Sequence, residues 1–144
     1  DIENSSLDAI AKPSYDEQNG EADDTLMILP DQVEHINVRS GIGKMANDQR
    51  LYIRLFREFM HDYTGTPAKL TAYLQQGELA KARDIVHNIK GISGSLGADE
   101  LMDAAEQFQL TIDEGRHKDF NEQLSRFDRV FREFEQSAKL ILGD

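Results

Sequence analysis

One stretch of the sequence, residues 84–97 (DIVHNIKGISGSLG), combines a histidine with a lysine and two glycines at helical spacing. At 100° per residue, the residues within about 60° of His87 on a helix include Arg83, Lys90, Gly91 and Gly94. The apolar residues lie on the opposite side: Ile85, Ile89, Ile92 and Leu96. The spacing therefore predicts that His87 projects into solvent from a face that carries two bases and two glycines.

The chemistry predicted for this face is acceptance of a phosphoryl group by His87. A neutral imidazole is a good nucleophile near neutral pH because its unperturbed pKa is about 6.5, and its attack on an acyl phosphate gives a covalent N–P intermediate. Lys90 lies one turn away, where its ammonium group can neutralise charge on the phosphoryl oxygens during transfer. Arg83 is expected to assist from the other end.

The two glycines predict that a partner approaches this helix closely. A glycine inside a helix costs about 1 kcal/mol relative to alanine, and this helix carries two on one face. Besides His87, the predicted docking surface comprises six residues: Arg83, Asn88, Lys90, Gly91, Gly94 and Ser95. There is no glycine-rich phosphate loop and no carboxylate cluster beside His87, so we predict no ATP site, no metal site and no cofactor; the partner must bring Mg²⁺.

The chain after residue 30 shows helical periodicity, and no segment alternates with a period of two. Glycines at the ends of apolar stripes mark helix ends at Gly77, Gly97 and Gly115. The predicted helices cover approximately residues 38–45, 48–63, 66–77, 78–97, 101–115 and 119–142. The aromatic stripe of the last helix is interpreted as core rather than as a ligand site.

Capping residues predict three of the helix N-termini. Asp48 is a candidate N-cap, Thr66 is another with Pro67 at the first helical position, and Asp119 with Glu122 resembles a capping box. Helices joined by short connections pack antiparallel. We therefore predict an all-α fold, an antiparallel up-down four-helix bundle with a short leading helix that acts as a lid.

The first thirty residues differ in composition from the rest. They hold eight acidic residues against a single base, Lys12, which accounts for −7 of the net charge of −11. Few of them are large and apolar, so the segment buries too little surface to offset its ordering entropy. We predict an acidic flexible linker over residues 1–30 and a helical bundle over residues 31–144.

Charge and composition exclude several classes of function. A net charge of −11 argues against nucleic acid or an anionic membrane as partner, and no apolar run approaches membrane-span length. With no cysteine, disulfides and thiolate metal sites are excluded, and His61 beside Asp62 is a poor metal pair because neighbouring helical side chains diverge. The start lacks a secretory signal and an initiating Met, which favours a cytoplasmic piece of a longer protein.

Residues 87–98 (HNIKGISGSLGA) resemble the motif of histidine-containing phosphotransfer (HPt) domains, in which His-x-x-Lys-Gly is followed by small residues and Leu/Ile-Gly-Ala. His87 matches the phosphorylated histidine, Lys90 the supporting lysine and Gly91 the glycine that opens the surface. Residues 97–98 match the break between the two central helices. The upstream segment 51–63 (LYIRLFREFMHDY) is similar to the second helix of the family, and the likeness covers roughly residues 36–142. Val86, where the family usually has a small residue, is a mild departure that affects packing.

The resemblance implies a place in a phosphorelay. HPt modules accept a phosphoryl group from a receiver-domain aspartate and pass it to a response-regulator aspartate, and they are not enzymes on their own. Many form the C-terminal module of a bacterial hybrid sensor histidine kinase, and others are free-standing proteins. The hybrid kinase, with an anchor in the inner membrane, is the expected parent. The expected partners are the receiver domains of that kinase and of a response regulator, and the isolated module is expected to be monomeric.

Two other functions are consistent with part of the pattern. A dimerisation and phosphoacceptor domain of a histidine kinase also carries a helical histidine, but it has an acid directly after it, where this chain has Asn88. A helical scaffold could use the glycine face for close packing between chains. Such a scaffold would not require His87 and Lys90 in the same patch. The remaining histidines, His35, His61 and His117, lack this setting and are interpreted as surface or packing residues.

Overall fold

The structure, a computed structural model, describes residues 29–143. This part of the chain contains six α-helices, a 3₁₀ turn at His117–Asp119 and no strand. The helices are α1 (Val38–Gly43), α2 (Gln49–Tyr63), α3 (Thr66–Gln75), α4 (Leu79–Leu96), α5 (Asp99–Asp113) and α6 (Phe120–Leu142). The predicted all-α bundle is confirmed. The predicted linker falls, except for its last two residues, outside the described residues and stays a prediction.

The long helices pack around one hydrophobic core. Helix α4 packs most extensively against α5, and α5 packs against α6, while α2 and α3 each pack against α4 and α6. The largest buried side chains are mainly aromatic: Tyr52, Phe56, Phe108, Phe127, Phe131 and Phe134. The ring of Phe134 stacks on Phe56 with centroids 5.6 Å apart, and Phe59 meets it edge-on at the same separation. The aromatic stripe of the last helix is therefore core, as predicted.

Helix α1 covers the end of the bundle where α4 turns into α5. The backbone N–H of Asn37 donates to the Gly97 carbonyl at 2.9 Å, and the Tyr52 hydroxyl donates to the Leu96 carbonyl at 2.7 Å. Burial raises the pKa of Tyr52, because desolvation disfavours the phenolate. Gly97 ends α4 with a φ of +86°, and a β-carbon on it would overlap the carbonyl oxygen of Asn37. The turn and the lid thus both require glycine here.

The predicted N-cap at Asp48 is confirmed, whereas the one at Thr66 is wrong by one residue. The Asp48 carboxylate accepts from the Leu51 N–H at 3.0 Å. Helix α3 has Gly65 as its N-cap, with a φ of +77°, and Thr66 is already the first helical residue. The Thr66 hydroxyl is instead buried and donates to the Tyr63 carbonyl at 2.6 Å, so it joins α3 to the end of α2.

Asp119 is the N-cap residue of α6, as predicted, but its capping box with Glu122 does not form. The 3₁₀ turn leads directly into α6, so the backbone of Asp119 is already helical and its side chain makes no capping hydrogen bond. Its carboxylate accepts from Nη1 of Arg116 at 3.4 Å instead. An Asp-x-x-Glu pattern therefore marks the right neighbourhood for a helix start but not the local geometry.

Helix α1 ends at Gly43, two residues before the predicted end at Met45. Ala46 and Asn47 have φ values of 56° and 61°, which are incompatible with a continuing right-handed helix. These two residues turn the chain into the N-cap of α2. Neither Ala46 nor Asn47 is a glycine, so the sequence carries no signal that the backbone becomes left-handed at these two positions.

We expect Gly97→Ala to lower the free energy of unfolding by more than about 3 kcal/mol, because alanine would carry both a left-handed backbone and the overlap with Asn37. Gly115→Ala is the matched control: its φ is +67°, no atom lies within 4 Å of an added β-carbon, and it should cost about 1–2 kcal/mol. Urea unfolding followed by circular dichroism gives both values. Equal losses would contradict the proposed contact between lid and turn.

Candidate functional site

Helix α4 presents His87 to solvent while it buries the opposite face. The buried residues of this helix repeat at intervals of three and four: Ala82, Val86, Ile89, Ser93 and Leu96. Ser93 is accommodated in the core because its hydroxyl donates to the Ile89 carbonyl at 2.6 Å. His87 itself is exposed, so the orientation predicted from helical spacing is confirmed.

The imidazole of His87 is held by a residue that the sequence analysis missed. Nδ1 of His87 lies 3.2 Å from Oε1 of Gln109, which projects from α5 and is only 8% exposed. A buried side-chain amide is held firmly because its own polar atoms need partners. Gln109 therefore fixes the ring at one of its two nitrogens.

The orientation of the Gln109 amide decides which nitrogen of His87 carries the proton. The atom that lies against Nδ1 of His87 is the amide oxygen, Oε1, and an amide oxygen only accepts. Nδ1 of His87 must then carry the proton and donate, which leaves the lone pair on Nε2 available. The arrangement selects the tautomer that a nucleophilic imidazole needs.

Arg83 pairs with a carboxylate of α5. Its Nε donates to the Asp113 carboxylate at 2.7 Å, and this hydrogen bond is the main reason that the pKa of Asp113 lies below its usual range. The structure thus places Arg83 against Asp113, which follows Gln109 by one turn of α5. Its predicted part in partner binding stays a prediction.

The two glycines of the predicted surface have different surroundings. A β-carbon on Gly91 would have no neighbour within 4 Å, so this position is open to an approaching partner. A β-carbon on Gly94 would lie 2.8 Å from Sδ of Met102, so the bundle's own packing accounts for that glycine. Asn88 and Ser95 are exposed, and the Ser95 hydroxyl donates to the Gly91 carbonyl at 3.3 Å.

Lys90 lies one turn after His87, on the same side of α4, and is half-buried. No ion pair engages its ammonium group within residues 29–143, whereas Arg83 is paired with Asp113. Lys90 is therefore the base nearest to His87 along α4 whose charge stays available for a ligand.

Among the described residues, one group of side chains has ligand atoms close enough to share a metal ion: His35, Glu100 and Glu133, all within 4.8 Å. Nδ1 of His35 already lies 3.0 Å from Oε1 of Glu100, so the contact ties the segment before α1 to the start of α5. The expectation that His61 and Asp62 diverge is wrong, since Nδ1 and Oδ1 lie 3.2 Å apart. Both side chains are exposed near the end of α2 and can turn toward each other.

The model of one protein family, described as the Hpt domain, matches residues 52–137, which is more than half of the chain. The chain belongs to the Hpt domain family. The match contains His87, Lys90, Gly91 and both residues of the α5 contacts, Gln109 and Asp113. No curated protein and no solved structure matches the chain significantly.

Membership of the family gives the coarse function. Hpt domains transfer phosphoryl groups in two-component phosphorelays, interact with receiver domains and have no ATP site of their own. The exposed histidine of α4, His87, lies within the residues that the family model matches. Within residues 29–143, none of the helices is long and apolar enough to cross a membrane.

We predict that Gln109→Leu slows phosphoryl acceptance by this Hpt domain about tenfold. The Nδ1–H of His87 loses its acceptor, so the tautomer with the proton on Nδ1 is no longer favoured over the other one. Gln107→Leu, on the same helix, is the control and should transfer at the wild-type rate. Nitrogen-15 spectra of His87 report the tautomer directly. An unchanged tautomer in Gln109→Leu would refute the assignment.

Proposed function

We propose that this Hpt domain accepts a phosphoryl group from the phosphorylated aspartate of a receiver domain onto Nε2 of His87 and passes it to the aspartate of a response regulator. The observation that carries the proposal is the engagement of Nδ1 by Gln109, which leaves Nε2 as the free nucleophile of an exposed ring. Gly91, one turn along, leaves the space that a receiver needs to bring its phosphoaspartate to this nitrogen.

The transfer is a displacement at phosphorus. The Nε2 lone pair attacks the phosphorus in line, the bond to the aspartyl oxygen breaks, and its electron pair returns to the leaving carboxylate. The proton on Nδ1 stays in its hydrogen bond with Gln109 throughout, so no base is needed. The reverse displacement, with the carboxylate of a second receiver as nucleophile, regenerates the neutral imidazole.

Lys90 is the proposed stabiliser of phosphoryl charge. Its ammonium group has no ion-pair partner in the described part of the chain, so a phosphoryl group on His87 would not compete with an internal carboxylate. Arg83, which is bound to Asp113, is proposed to act through Gln109 on the orientation of the ring. We expect Mg²⁺ to be held by the receiver domain.

The scaffold alternative receives less support than phosphotransfer. It explained the two glycines by close packing between chains, yet Gly94 is occupied by Met102 of the same chain. It also gives no reason for an imidazole held in one tautomer by a buried amide. The histidine-kinase alternative lacks its acid, because Asn88 follows His87 and is exposed.

We further infer that the domain is the C-terminal module of a hybrid sensor kinase, acts in the cytoplasm and is monomeric when isolated. The acidic segment over residues 1–30 supports this inference, because its charge and low apolar content suit a linker from a preceding receiver. In that setting the kinase's own receiver is the donor and a separate regulator is the acceptor.

We expect His87→Gln to abolish phosphoryl acceptance and to leave the free energy of unfolding within about 0.5 kcal/mol of wild type, because the side chain is exposed. The assay is label transfer from a phosphorylated receiver with Mg²⁺, with acid-labile, alkali-stable label on the wild type alone. Labelling of the Gln variant would show that His87 is not the acceptor.

Gly91→Trp should block the receiver without unfolding the bundle. No atom lies within 4 Å of an added β-carbon, so the indole would point outward, and we expect the transfer rate to fall more than tenfold. Ser125→Trp, on the exposed surface of α6, is the control and should keep the wild-type rate. A wild-type rate in Gly91→Trp would place the docking surface elsewhere.

A further inference from the structure

Three residues of α4, each four positions after the last, form a ridge: His87, Gly91 and Ser95. All three residues are exposed. On the C-terminal side of His87 the ridge projects little from the helix surface, because Gly91 and Ser95 are small. A groove lies on each side of it, and Gly91 and Ser95 line both grooves. One groove runs between α2 and α4, and the other lies on the α5 side of the ridge.

The groove on the α2 side has an apolar floor and an acidic edge. Its apolar lining includes Leu55, Phe59 and Ile92, and two exposed carboxylates, Glu58 and Asp62, stand beside them. No ion pair engages Glu58 within residues 29–143, and the ion pair that Asp62 makes there is with the neighbouring His61. His87 lines this groove too, so a group seated in it lies against the phosphoryl acceptor.

The groove on the α5 side is basic. Lys44 and Lys90 line it, against a single carboxylate from Glu106. Nζ of Lys44 donates to the Gly94 carbonyl at 2.6 Å, so the residue that follows α1 brings its charge across onto α4. That contact is exposed, so the ammonium group of Lys44 also lies within reach of a partner in this groove.

We propose that these two grooves orient the receiver through opposite charge. Resting on the phosphotransfer function proposed above, the inference is that the acidic edge of the receiver's phosphorylation site faces Lys90 and Lys44. An apolar surface of the receiver, bordered by a Lys or Arg, then fills the groove on the α2 side beside Glu58 and Asp62. Opposite charges on the two sides of the ridge that carries His87 favour a single orientation of the partner and penalise its reverse.

The charge pattern also defines which receivers fit. A receiver with acidic residues around its apolar surface meets Glu58 and Asp62 with like charge and is rejected. Carboxylates beside the phosphoaspartate, which a Mg²⁺ site requires, are matched by the two lysines. Lys44, Glu58 and Asp62 are therefore specificity-determining residues that leave the chemistry at Nε2 unchanged.

Charge reversal tests this directly. Two variants are compared: a double Lys variant that combines Glu58→Lys with Asp62→Lys, and the single variant Lys44→Glu. The controls are Lys118→Glu in the 3₁₀ turn and Glu122→Lys in α6, both at exposed positions. The probe is a receiver domain, phosphorylated with acetyl phosphate, that labels wild type. We expect each reversal to raise the KM for this receiver about tenfold and to change the rate at saturation less than twofold, while both controls stay at wild-type values. Urea unfolding verifies that every variant is folded.

The outcomes separate this inference from the proposed function. Suppose that the receiver labels wild type and that both reversals leave its KM within twofold of the wild-type value. That result would overturn the orientation by charge but not the phosphotransfer function. If none of a panel of phosphorylated receivers labels the wild-type protein, both the orientation by charge and the proposed phosphotransfer function are overturned. A receiver in which one bordering Lys or Arg is changed to Glu should restore the KM of the double Lys variant. If no such change in the receiver restores the KM of the double Lys variant, direct contact between these carboxylates and the receiver is overturned.

Discussion

The hydrogen bond between His87 and Gln109 sets a constraint on the whole bundle, because α4 and α5 must hold one register for the two side chains to meet. The helices are joined by two residues, and the left-handed Gly97 lets α5 begin immediately. Asn37 packs on that glycine and the Tyr52 hydroxyl bonds the last carbonyl of α4, so the lid and α2 both secure the turn. The placement of a surface imidazole thus depends on contacts at the far end of its helix.

The partner of the imidazole is a neutral amide, and this choice matters for the chemistry. A carboxylate in the same place would favour the charged imidazolium, which has no lone pair on Nε2 and is no nucleophile. Gln109 orients the ring without adding charge, and the charge sits one step further away on Asp113, where Arg83 neutralises it. Burial of the amide supplies rigidity, while exposure of Asp113 and Arg83 keeps the cost of desolvating their charges small.

The sequence sufficed for the helices and for the exposure of His87, and it failed where contacts cross between helices. Intervals of three and four set both the core stripe of α4 and the exposure of His87, since each depends on one helix alone. Gln109 could have been suspected, because it is a polar residue between the apolar Phe108 and Ile112 in α5. Its partner could not, because the register of α4 on α5 is a tertiary property. The cap at Thr66 and the capping box at Asp119 failed for a related reason. A buried hydroxyl contact replaced the first, and a preceding 3₁₀ turn replaced the local geometry of the second.

A strongly acidic chain can accept a phosphoryl group because electrostatic effects at this site are short-ranged. Of its eleven net negative charges, seven fall within residues 1–30. At physiological ionic strength the Debye length is about 8 Å, so carboxylates beyond that distance through solvent act weakly on a group at His87. What counts is the first few ångströms, where Lys90 is one turn away and Asp113 is already neutralised by Arg83. The net charge of the protein therefore acts on molecules that approach from a distance, whereas the charged side chains close to His87 set the local electrostatic potential there.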